Sequence, residues 1–514
     1  MSSPLHAVDE VFDYASFMWD SGDFWQQVSP DSGANVGLNT HVMVGIPIFY
    51  TCYEYRLTEL IQGTDSQITL PGRVASEALY GTPHIQSNVS GSDKPVVNLT
   101  SDKLMEFFAT SAIPPILAVE TQKKWVSIRQ AVVGMAVHSR QLRCAILAFS
   151  VVLLSRRDGL LIVGEQNYYE DAVAEVSAYD SMPLVEHSPE RESLLAALFF
   201  LSYVDILETK LDAGHSHLQR AYNIFQRGDK RSFVPIEKQL LLWIRLLDGK
   251  AVSAGGDGLF LSKDDELVLV EASPGSFDGG ADDASKHEAT DGDIEDVLFQ
   301  VLYQPGVVFY QKVQSFMGRI SKIDPWHRSR GTVEDETEVM NMGASIAADL
   351  RTLYDQRPPL MDYAVAGKLR EPHVSAHLAF VITRAFRTYL SNYYASKVHL
   401  HRVAYKTLPL TREASDALGQ IRKLARQMAN DMDTEDALPV NMLWPLLMLG
   451  VEEQDPGEKA WIKAQILRME RVAGNARITA QVLEEVQARQ DAAKARMDIR
   501  SIMLTVFNST FAIV

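Results

Sequence analysis

The chain has 514 residues, of which 46% are hydrophobic and 22% are charged, and its formal net charge is −17. The hydrophobic fraction is ordinary for a globular protein and allows a sizeable core, in two to four average domains or in one large helical domain. So negative a surface is a poor match for a phosphate backbone, which argues against a self-sufficient nucleic-acid-binding protein without excluding a local basic patch.

The first hundred residues differ from the rest and are predicted to form an N-terminal extension, residues 1–100, that is partly helical. Val8–Val28 has the spacing of an amphipathic helix, and Gly-, Ser- and Pro-rich connections follow as far as Pro95. From residue 101 onward the hydrophobic spacing becomes helical. We therefore divide the chain into this extension and one large domain, residues 101–514.

The large domain shows apolar residues at intervals of three and four, the spacing of helices with one buried face. A clear stripe is formed by Leu218, Ala221, Tyr222 and Phe225. No fixed repeat period with matching signature positions occurs, so the predicted fold class is all-α, built from irregular stacked helix pairs. After a first helix that ends at Pro114-Pro115, the spacing predicts helices at about 122–139, 141–155, 167–179, 190–210, 212–228, 235–250, 293–322, 334–356, 372–405, 411–431, 440–450, 457–474 and 475–506.

The last of these predicted helices has two distinct faces. Its apolar face is formed by Ile478, Val482, Val486, Ala493 and Met497. On the other face, Glu485 and Arg489 stand at i and i+4, where opposite charges attract each other. The pattern therefore predicts a continuous helix with a surface ion pair.

Residues 251–292 interrupt the helical pattern with a stretch rich in Gly, Ser and Asp, in which acids outnumber bases. Two short apolar runs, Gly258–Leu261 and Leu267–Val270, flank an Asp-rich turn and predict a small β-hairpin. Ser273–Gly292 is typical of a disordered, solvated insertion. An acidic activating segment is the alternative, although Phe277 is its only aromatic residue.

The sequence contains no short motif typical of nucleotide binding, zinc proteolysis or serine hydrolysis. Two His-x-His pairs suggest a metal site: His215 with His217, and His399 with His401. Residues two apart on a helix point about 200° away from each other and cannot share one ion, although this objection is weaker at His215, where a helix begins. Partly buried, hydrogen-bonded histidines are the preferred interpretation.

Three other groups of residues have both a functional and a structural interpretation. The acids within Gly450–Pro456 could act as general acid and base, but a helix end followed by a proline-initiated helix explains them better. Arg422, Lys423 and Arg426 form a basic ridge that could bind an acidic partner or a phosphate, with a solvated face as the preferred interpretation. Five tryptophans could line a ligand cavity, although core packing is the commoner use of this residue: Trp125, Trp243, Trp326, Trp444 and Trp461.

Cys52 and Cys144 are the only cysteines in the sequence. Two distant thiols give neither a disulfide framework nor a zinc site, and they favour a reducing compartment. The longest apolar run, Cys144–Leu154, is far shorter than the roughly 20 residues that cross a bilayer, and it is interpreted as a buried helix. We therefore expect a soluble, intracellular protein.

Ten short segments are similar in sequence to a known family, and we call them the family segments. They are Leu153–Gly159, His217–Ala221, His399–Tyr405, Leu438–Pro445, Gly450–Glu453, Ala473–Arg477, Glu484–Gln487, Arg489–Asp491, Asp498–Ser501 and Phe507–Val514. Together they resemble the fungal-specific transcription factor domain, the large helical regulatory region attached to fungal two-zinc, six-cysteine cluster regulators. The resemblance covers roughly residues 100–514 and is most specific after His399.

The resemblance implies a helical region that serves regulation, effector response and partner contacts, in a nuclear protein, with the cytoplasm left open. The chain departs from the family pattern because it has neither six closely spaced cysteines nor a basic N-terminus. Zinc and DNA contacts are therefore carried over to no residue, and no catalytic, cofactor-binding, metal-binding or DNA-binding residue and no cofactor is expected. The expected partners are the transcription machinery or a zinc-cluster regulator. A small effector and a homo-oligomer are left open, and direct DNA or membrane contact is not expected.

Three functions are weighed on this basis. The first is a transcription-regulator-like protein that acts through its helical domain by protein or effector contacts, without its own DNA-binding module unless further coding sequence supplies one. The alternative is an enzyme or ligand-binding protein of a biosynthetic pathway that reuses the scaffold, which predicts one enclosed apolar pocket. The third is a plain helical scaffold, which predicts a large exposed apolar patch.

Overall fold

The computed structural model describes residues 95–117, 122–179, 189–230, 232–271, 291–370, 374–406, 408–432, 436–471, 473–508, 510 and 512–513. The predicted N-terminal helix, Val8–Val28, and residues 272–290 of the predicted insertion lie outside this range. From Val96 onward the described residues belong to one folded unit.

Within the described residues the chain forms 17 α-helices and two short strands, so the all-α prediction is confirmed. Most helix bounds agree with the predicted ones to within a few residues. The strands are β1 (Val96–Asn98) and β2 (Leu161–Val163). The helices of the N-terminal half are α1 (Ser101–Thr110), α2 (Gln122–Ala136), α3 (Arg140–Asp158), α4 (Tyr168–Ala178), α5 (Pro189–Leu207), α6 (Leu211–Arg227), α7 (Pro235–Ala251) and α8 (Lys263–Glu266). Those of the C-terminal half are α9 (Asp291–Ser321), α10 (Val333–Asp355), α11 (Pro359–Val365), α12 (Ala376–Ala404), α13 (Arg412–Asn430), α14 (Leu443–Glu452), α15 (Pro456–Arg468), α16 (Ala476–Ala493) and α17 (Ile499–Phe507).

A parallel pair of strands, which the spacing does not predict, joins the start of the described chain to the turn after α3. In β1, Val96 pairs with Leu161 of β2, and the register continues to the ends of both strands. The N–H of Leu99 extends the ladder by donating to the carbonyl of Val163 at 3.1 Å. Strands of three residues are too short for an alternating pattern to be recognised.

Helix α5 is the centre of the N-terminal half, and α3, α4, α6 and α7 lie against it. Side chains on every face of α5 are buried, as expected of a helix that is apolar all round. Rings from α1, α2, α3, α5 and α7 form one aromatic cluster, in which edge-on and tilted contacts predominate. Its members are Phe108, Trp125, Phe149, Phe199, Phe200 and Trp243.

Helix α12 is the centre of the C-terminal half, and α9, α10, α11, α13 and α14 lie against it. The short helix α14 is buried from Leu443 to Val451, and α16 covers it with the buried side chains of Val482 and Val486. Contacts between α7 and α9 join this half to the N-terminal half. The junction of α7, α9, α12 and α14 therefore lies where the two halves meet.

The apolar run Cys144–Leu154 lies in α3, where most of its side chains are buried, as predicted. Cys144 is a free thiol, and burial raises its pKa. None of the helices described here combines the length and the hydropathy of a bilayer-spanning segment.

The predicted β-hairpin after α7 is wrong. Ser262 caps the one-turn helix α8 by accepting a hydrogen bond from the N–H of Asp265 at 3.1 Å, and Leu267–Glu271 continues as a π-helical turn. Phe260 and Val270 are buried, but they belong to these turns and not to strands. Short apolar runs do not by themselves distinguish the two structures. Residues 251–271 are therefore folded, and the predicted insertion begins later than residue 251.

The last predicted helix is two helices, α16 and α17. Lys494 has a φ of 52°, a left-handed conformation that ends α16, and the side chain of Asp498 caps the start of α17. Met497 therefore lies between the two helices and not on the apolar face of α16. The predicted pair of Glu485 and Arg489 is confirmed, with 2.6 Å between Oε1 and Nε.

Candidate functional site

The two histidines of α6 are divided between separate acids. His217 is 3% exposed, and its Nδ1 lies 2.8 Å from Oδ2 of the buried Asp205. The other oxygen of Asp205 accepts a hydrogen bond from the hydroxyl of Tyr169 at 2.6 Å. The Nε2 of His215 lies 3.4 Å from Oδ2 of Asp257, outside α6. The pair therefore does not converge on one point, as expected for residues two apart on a helix.

The network of Tyr169, Asp205 and His217 joins α4, α5 and α6. Burial and the hydrogen bond to Asp205 raise the pKa of Tyr169, which keeps its hydroxyl protonated as a donor. A carboxylate that orients a histidine is one part of a nucleophile-activating arrangement. Among the described residues, however, no hydroxyl or thiol is hydrogen-bonded to His217. The network satisfies a buried charge and holds three helices together.

The second histidine pair, at the end of α12, also points in two directions. The ring of His399 stands edge-on to Trp444 with 5.1 Å between centroids, and desolvation lowers its pKa to about 4, so it is neutral at pH 7. The Nε2 of His401 lies 3.0 Å from the carbonyl oxygen of Pro409. In the part of the chain that the structure describes, no group of three or more His, Cys, Asp or Glu side chains is arranged to hold a metal ion.

Glu452 is the centre of a buried network that we call the C-terminal lock, formed by Arg402, Glu452 and Arg496. The guanidinium of Arg402 and the carboxylate of Glu452 are each 6% exposed and in direct contact, and Nε of Arg496 lies 3.0 Å from Oε1 of Glu452. Arg402 also donates to the carbonyl of Met497 at 2.7 Å. These contacts compensate the desolvation of the charges. Glu452 thereby links α12, α14 and the turn before α17.

The neighbouring acids shape the turn between α14 and α15. Glu453 accepts hydrogen bonds from the N–H groups of Gln454 and Asp455 at 2.9 and 3.0 Å. Asp455 caps α15 by accepting from the N–H of Glu458 at 2.8 Å, and Pro456 is the first residue of that helix. The predicted proline start and acidic turn are confirmed, whereas α14 continues past its predicted end at Gly450 as far as Glu452.

The basic ridge on α13 has acidic partners within the same chain. Arg422 contacts Glu453 directly, and Nη2 of Arg426 lies 2.7 Å from Oε1 of Glu458. The guanidinium of Arg426 also covers the ring of Trp461 at 4.1 Å from its centroid, a cation–π arrangement. Both arginines therefore join α13 to the turn and helix that follow α14, a use that neither sequence interpretation included.

Two family segments that are far apart in sequence meet at Gly474. The guanidinium of Arg156 lies so close to Gly474 that a Cβ at this position would overlap with it. Arg156 also donates to the carbonyl of Leu207, at the end of α5. These contacts of Arg156 therefore join the two segments and, with them, the two halves of the molecule.

Helix α7 carries buried charges that the sequence analysis did not single out. Its first turn holds a compensated pair, in which Arg191 contacts Glu237 through two hydrogen bonds of 2.6 and 2.8 Å. Its last turns hold three buried ionisable residues, which we call the α7 charges: Arg245, Asp248 and Lys250. Their burial can be predicted from the sequence. Apolar residues occupy every face of α7 between Leu240 and Leu247, so a charged residue in this helix must be buried.

Burial moves the pKa of each α7 charge toward the neutral form. Arg245 donates to the carbonyl of Gln311 at 2.9 Å, but its Nε has no partner among the described residues, and desolvation lowers its pKa to about 10. One oxygen of Asp248 accepts from the N–H of Phe260 at 2.8 Å while the other has no such partner, and desolvation raises its pKa to about 6. Lys250 is 6% exposed, and desolvation alone lowers its pKa to about 8.

Lys250 faces a narrow cavity of about 10 Å³, the Lys250 cavity, at the junction of α7, α9, α12 and α14. This volume suits one water molecule. The indole Nε1–H of Trp444 is buried at the cavity without an acceptor among the described residues. The other lining residues are Gly249, Ser253, Gln314, Met317, Asn392, Ser396 and Ile513.

The five tryptophans do not share a cavity. Trp125 and Trp243 belong to the aromatic cluster of the N-terminal half, as the core interpretation predicts. Trp326 and Trp461 each lie beneath an arginine. Of the five, Trp444 lines the Lys250 cavity.

Two larger cavities are open grooves on the surface. One, of about 490 Å³, lies between α9 and the end of α10, and the other, of about 470 Å³, lies between α11, α12 and α13. The second groove has cations and an acid along its rim, so its charge does not select a partner of one sign. These rim residues are Arg370, Arg384, Arg387 and Asp431.

Comparison with known proteins gives one family. A family model of the fungal specific transcription factor domain matches residues 104–509. The matched region runs from α1 to the end of α17, and it contains the C-terminal lock and the α7 charges. No curated protein and no solved structure matches the chain.

Proposed function

Because this chain belongs to the fungal specific transcription factor domain family, we propose that it is a transcription regulator that acts through its helical domain by contacts with protein partners or a small effector. The family is one of transcription regulators and is generally non-enzymatic. We further propose that the 514 residues act without a DNA-binding module of their own, in the nucleus. The match over residues 104–509 is the observation that carries the proposal.

The composition supports the part of the proposal that concerns DNA. The sequence holds two cysteines, too few for a six-cysteine zinc cluster, and its net charge is −17. Phosphate contacts need clustered Lys and Arg. On α13, where such a cluster is present in the sequence, Arg422 and Arg426 are already paired with acids of the same chain.

The buried polar residues support a scaffold that presents surfaces. The groups with a chemical interpretation, His217 and Glu452 among them, hold helices to one another. The enzyme or ligand-carrier alternative predicts one enclosed apolar pocket. The cavities described above are two open grooves and one of the size of a water molecule, so no observation on the described residues favours that alternative.

The proposal is tested by fusing the full chain to a heterologous DNA-binding domain and measuring a reporter gene under its operator. We expect a several-fold change in reporter output relative to the DNA-binding domain alone, and recovery of transcription machinery or a zinc-cluster regulator with the native protein after immunoprecipitation. A folded, nuclear fusion that leaves the reporter unchanged would contradict the regulatory role.

A separate measurement tests the statement about DNA. The purified 514-residue chain is mixed with a random-sequence DNA library at physiological salt, and bound DNA is selected and sequenced. We expect no enriched sequence. A tight, sequence-selective complex would overturn the proposal that the chain lacks a DNA-binding module, while leaving the regulatory role intact.

A further inference from the structure

The Lys250 cavity brings together donors that have no acceptor among the described residues. Lys250 carries three N–H bonds and Trp444 carries one, and both side chains are more than nine-tenths buried. Buried polar groups are normally hydrogen-bonded, and a buried cation normally has a counter-ion. We propose that the Lys250 cavity binds the carboxylate group of a small-molecule effector, with Lys250 as its counter-ion and Trp444 as a second donor.

An anion fits this cavity better than a neutral ligand does. The polar side chains that line it with Lys250 carry no negative charge, so the ammonium group has no counter-ion in its walls. The carbonyl end of α7 favours a positive charge but supplies no counter-ion either. A bound water would accept from Trp444 and leave the charge of Lys250 uncompensated. A carboxylate accepts several hydrogen bonds and supplies the missing charge.

The hydrogen bonds of the other lining groups show which donors are free to act. The side-chain amide of Asn392 already donates to the carbonyls of Thr388 and Asn441, both at 2.9 Å. The hydroxyl of Ser396 donates to the carbonyl of Asn392 at 3.0 Å. Lys250 and Trp444 are therefore donors that a ligand finds without breaking either of these helix contacts.

One wall of the cavity, at Ile513, does not belong to a helix. Ile513 is held by a hydrogen bond from its N–H to the hydroxyl of Ser253 at 3.0 Å, and the side chain of Asn475 donates to the carbonyl of Ala512. The remaining walls belong to α7, α9, α12 and α14, whose backbones are fixed by their own helical ladders. A ligand larger than one water molecule therefore enters by displacing Ala512 and Ile513.

The space that Ile513 leaves is apolar, because Met317 and the ring of Trp444 line the same cavity. A carboxylate with a short alkyl tail matches both parts, with its charge at Lys250 and its tail in place of the isoleucine. The role of such a ligand as a regulatory effector rests on the proposed function, whereas its binding does not. A binding experiment therefore tests the ligand site independently of the proposed regulatory function.

The test measures binding of sodium formate, acetate, butyrate and hexanoate to the full chain by isothermal titration calorimetry and thermal unfolding, with sodium chloride at equal ionic strength as reference. We expect saturable binding that is stronger for butyrate or hexanoate than for formate, because the tail replaces Ile513. Lys250→Met lowers the affinity by roughly tenfold or more, the effect of losing one charge-assisted hydrogen bond. Trp444→Phe lowers it several-fold, since the variant keeps a ring and loses the indole N–H.

Two further variants make the test specific. Ile513→Ala strengthens binding of the longer acids, because the wall they displace becomes smaller. Lys423→Met removes an exposed lysine of α13 and leaves binding unchanged. Circular dichroism verifies that each variant is folded, and if Lys250→Met does not fold, Trp444→Phe and Ile513→Ala decide the result.

Binding that survives Lys250→Met in a folded protein, or no saturable binding of any probe, would overturn the proposal. So would binding that appears only in a chain extended by Gly-Ser after Val514, since it would assign Lys250 to the α-carboxylate of its own chain. Reporter activity is not a readout here, so failure of this test leaves the proposed function standing.

Discussion

Buried charge is handled differently in two regions of the molecule, the C-terminal lock and the last turns of α7. In the C-terminal lock, Arg402 and Arg496 surround Glu452, so that each buried charge has an opposite charge beside it. At the end of α7, Lys250 is just as deeply buried but has no acid beside it among the described residues, and desolvation alone lowers its pKa to about 8. Its neighbour Arg245, by contrast, has Glu266 within 3.9 Å.

The difference separates the charges of the lock, which join helices, from Lys250, which has no opposite charge beside it among the described residues. Removing either member of a compensated buried pair strongly destabilises the protein, whereas an uncompensated buried charge destabilises the protein by its presence. Arg402 and Glu452 both lie in family segments, while α7 lies outside all ten. The lock therefore largely coincides with the segments that carry the resemblance, whereas Lys250 lies between those segments, inside the matched region of residues 104–509.

The largest effect is expected where a compensated charge is removed. Glu452→Gln leaves Arg402 buried beside a neutral side chain and lowers the free energy of unfolding by about 3–5 kcal/mol. Urea unfolding at pH 7 measures the change. Glu485→Gln is the matched control, because its ion pair with Arg489 is on the surface and contributes about 0.5 kcal/mol or less. Equal effects of the two variants would contradict the assignment of the lock.

Removing an uncompensated charge is expected to have the opposite sign. The pKa of Lys250 is lowered from 10.5 to about 8 by burial, so Lys250→Met raises the free energy of unfolding at pH 7 by about 3 kcal/mol. Between pH 8 and pH 10.5 the unfolded chain binds this proton more tightly, so the wild-type protein gains stability as the pH rises.

The Lys250→Met variant lacks that rise, and urea unfolding at several pH values without added carboxylates reveals the difference. Lys423→Met serves as control, since an exposed lysine has little effect at any pH. A loss of stability in Lys250→Met at pH 7 would show that Lys250 is compensated, and the contrast between the two regions would disappear.

A smaller effect is expected at the contact between family segments. Gly474→Ala places a methyl group against the guanidinium of Arg156, the movable end of a long side chain, and lowers the free energy of unfolding by about 1 kcal/mol, the lower end of the cost of overpacking. Gly419→Ala is the control, because open space surrounds that position on α13 and the change raises helix stability by roughly 0.5–1 kcal/mol. Unchanged stability in Gly474→Ala would show that the close contact between Gly474 and Arg156 does not contribute to the stability of the fold.

The sequence predicts the helices well, because their signal is local. Leu218, Ala221 and Phe225 form a stripe in the sequence, and all three are fully buried in α6. The pattern fails where the signal is short or absent. The runs around Phe260 and Val270 fit a strand as well as a turn, and no glycine or proline announces the left-handed Lys494 that ends α16.

The candidate site is harder to predict, because its residues meet through the fold. Arg402, Glu452 and Arg496 are separated by dozens of residues, and no spacing rule connects them. Lys250 is the exception, since a lysine in so apolar a helix must be buried wherever that helix lies. The sequence does not reveal which side chains surround Lys250. Only the fold shows that the residues of α9, α12 and α14 that line its cavity include no acid.

The most direct test of this account is the pKa of Lys250 in the folded protein. Lysine labelled with ¹³C at Cε is titrated by NMR without added carboxylates, and the signal of Lys250 is identified by its loss in Lys250→Met. The account predicts a midpoint near pH 8. A midpoint at the ordinary value of 10.5 would show that this ammonium group already has a partner or water around it, and would contradict the central claim.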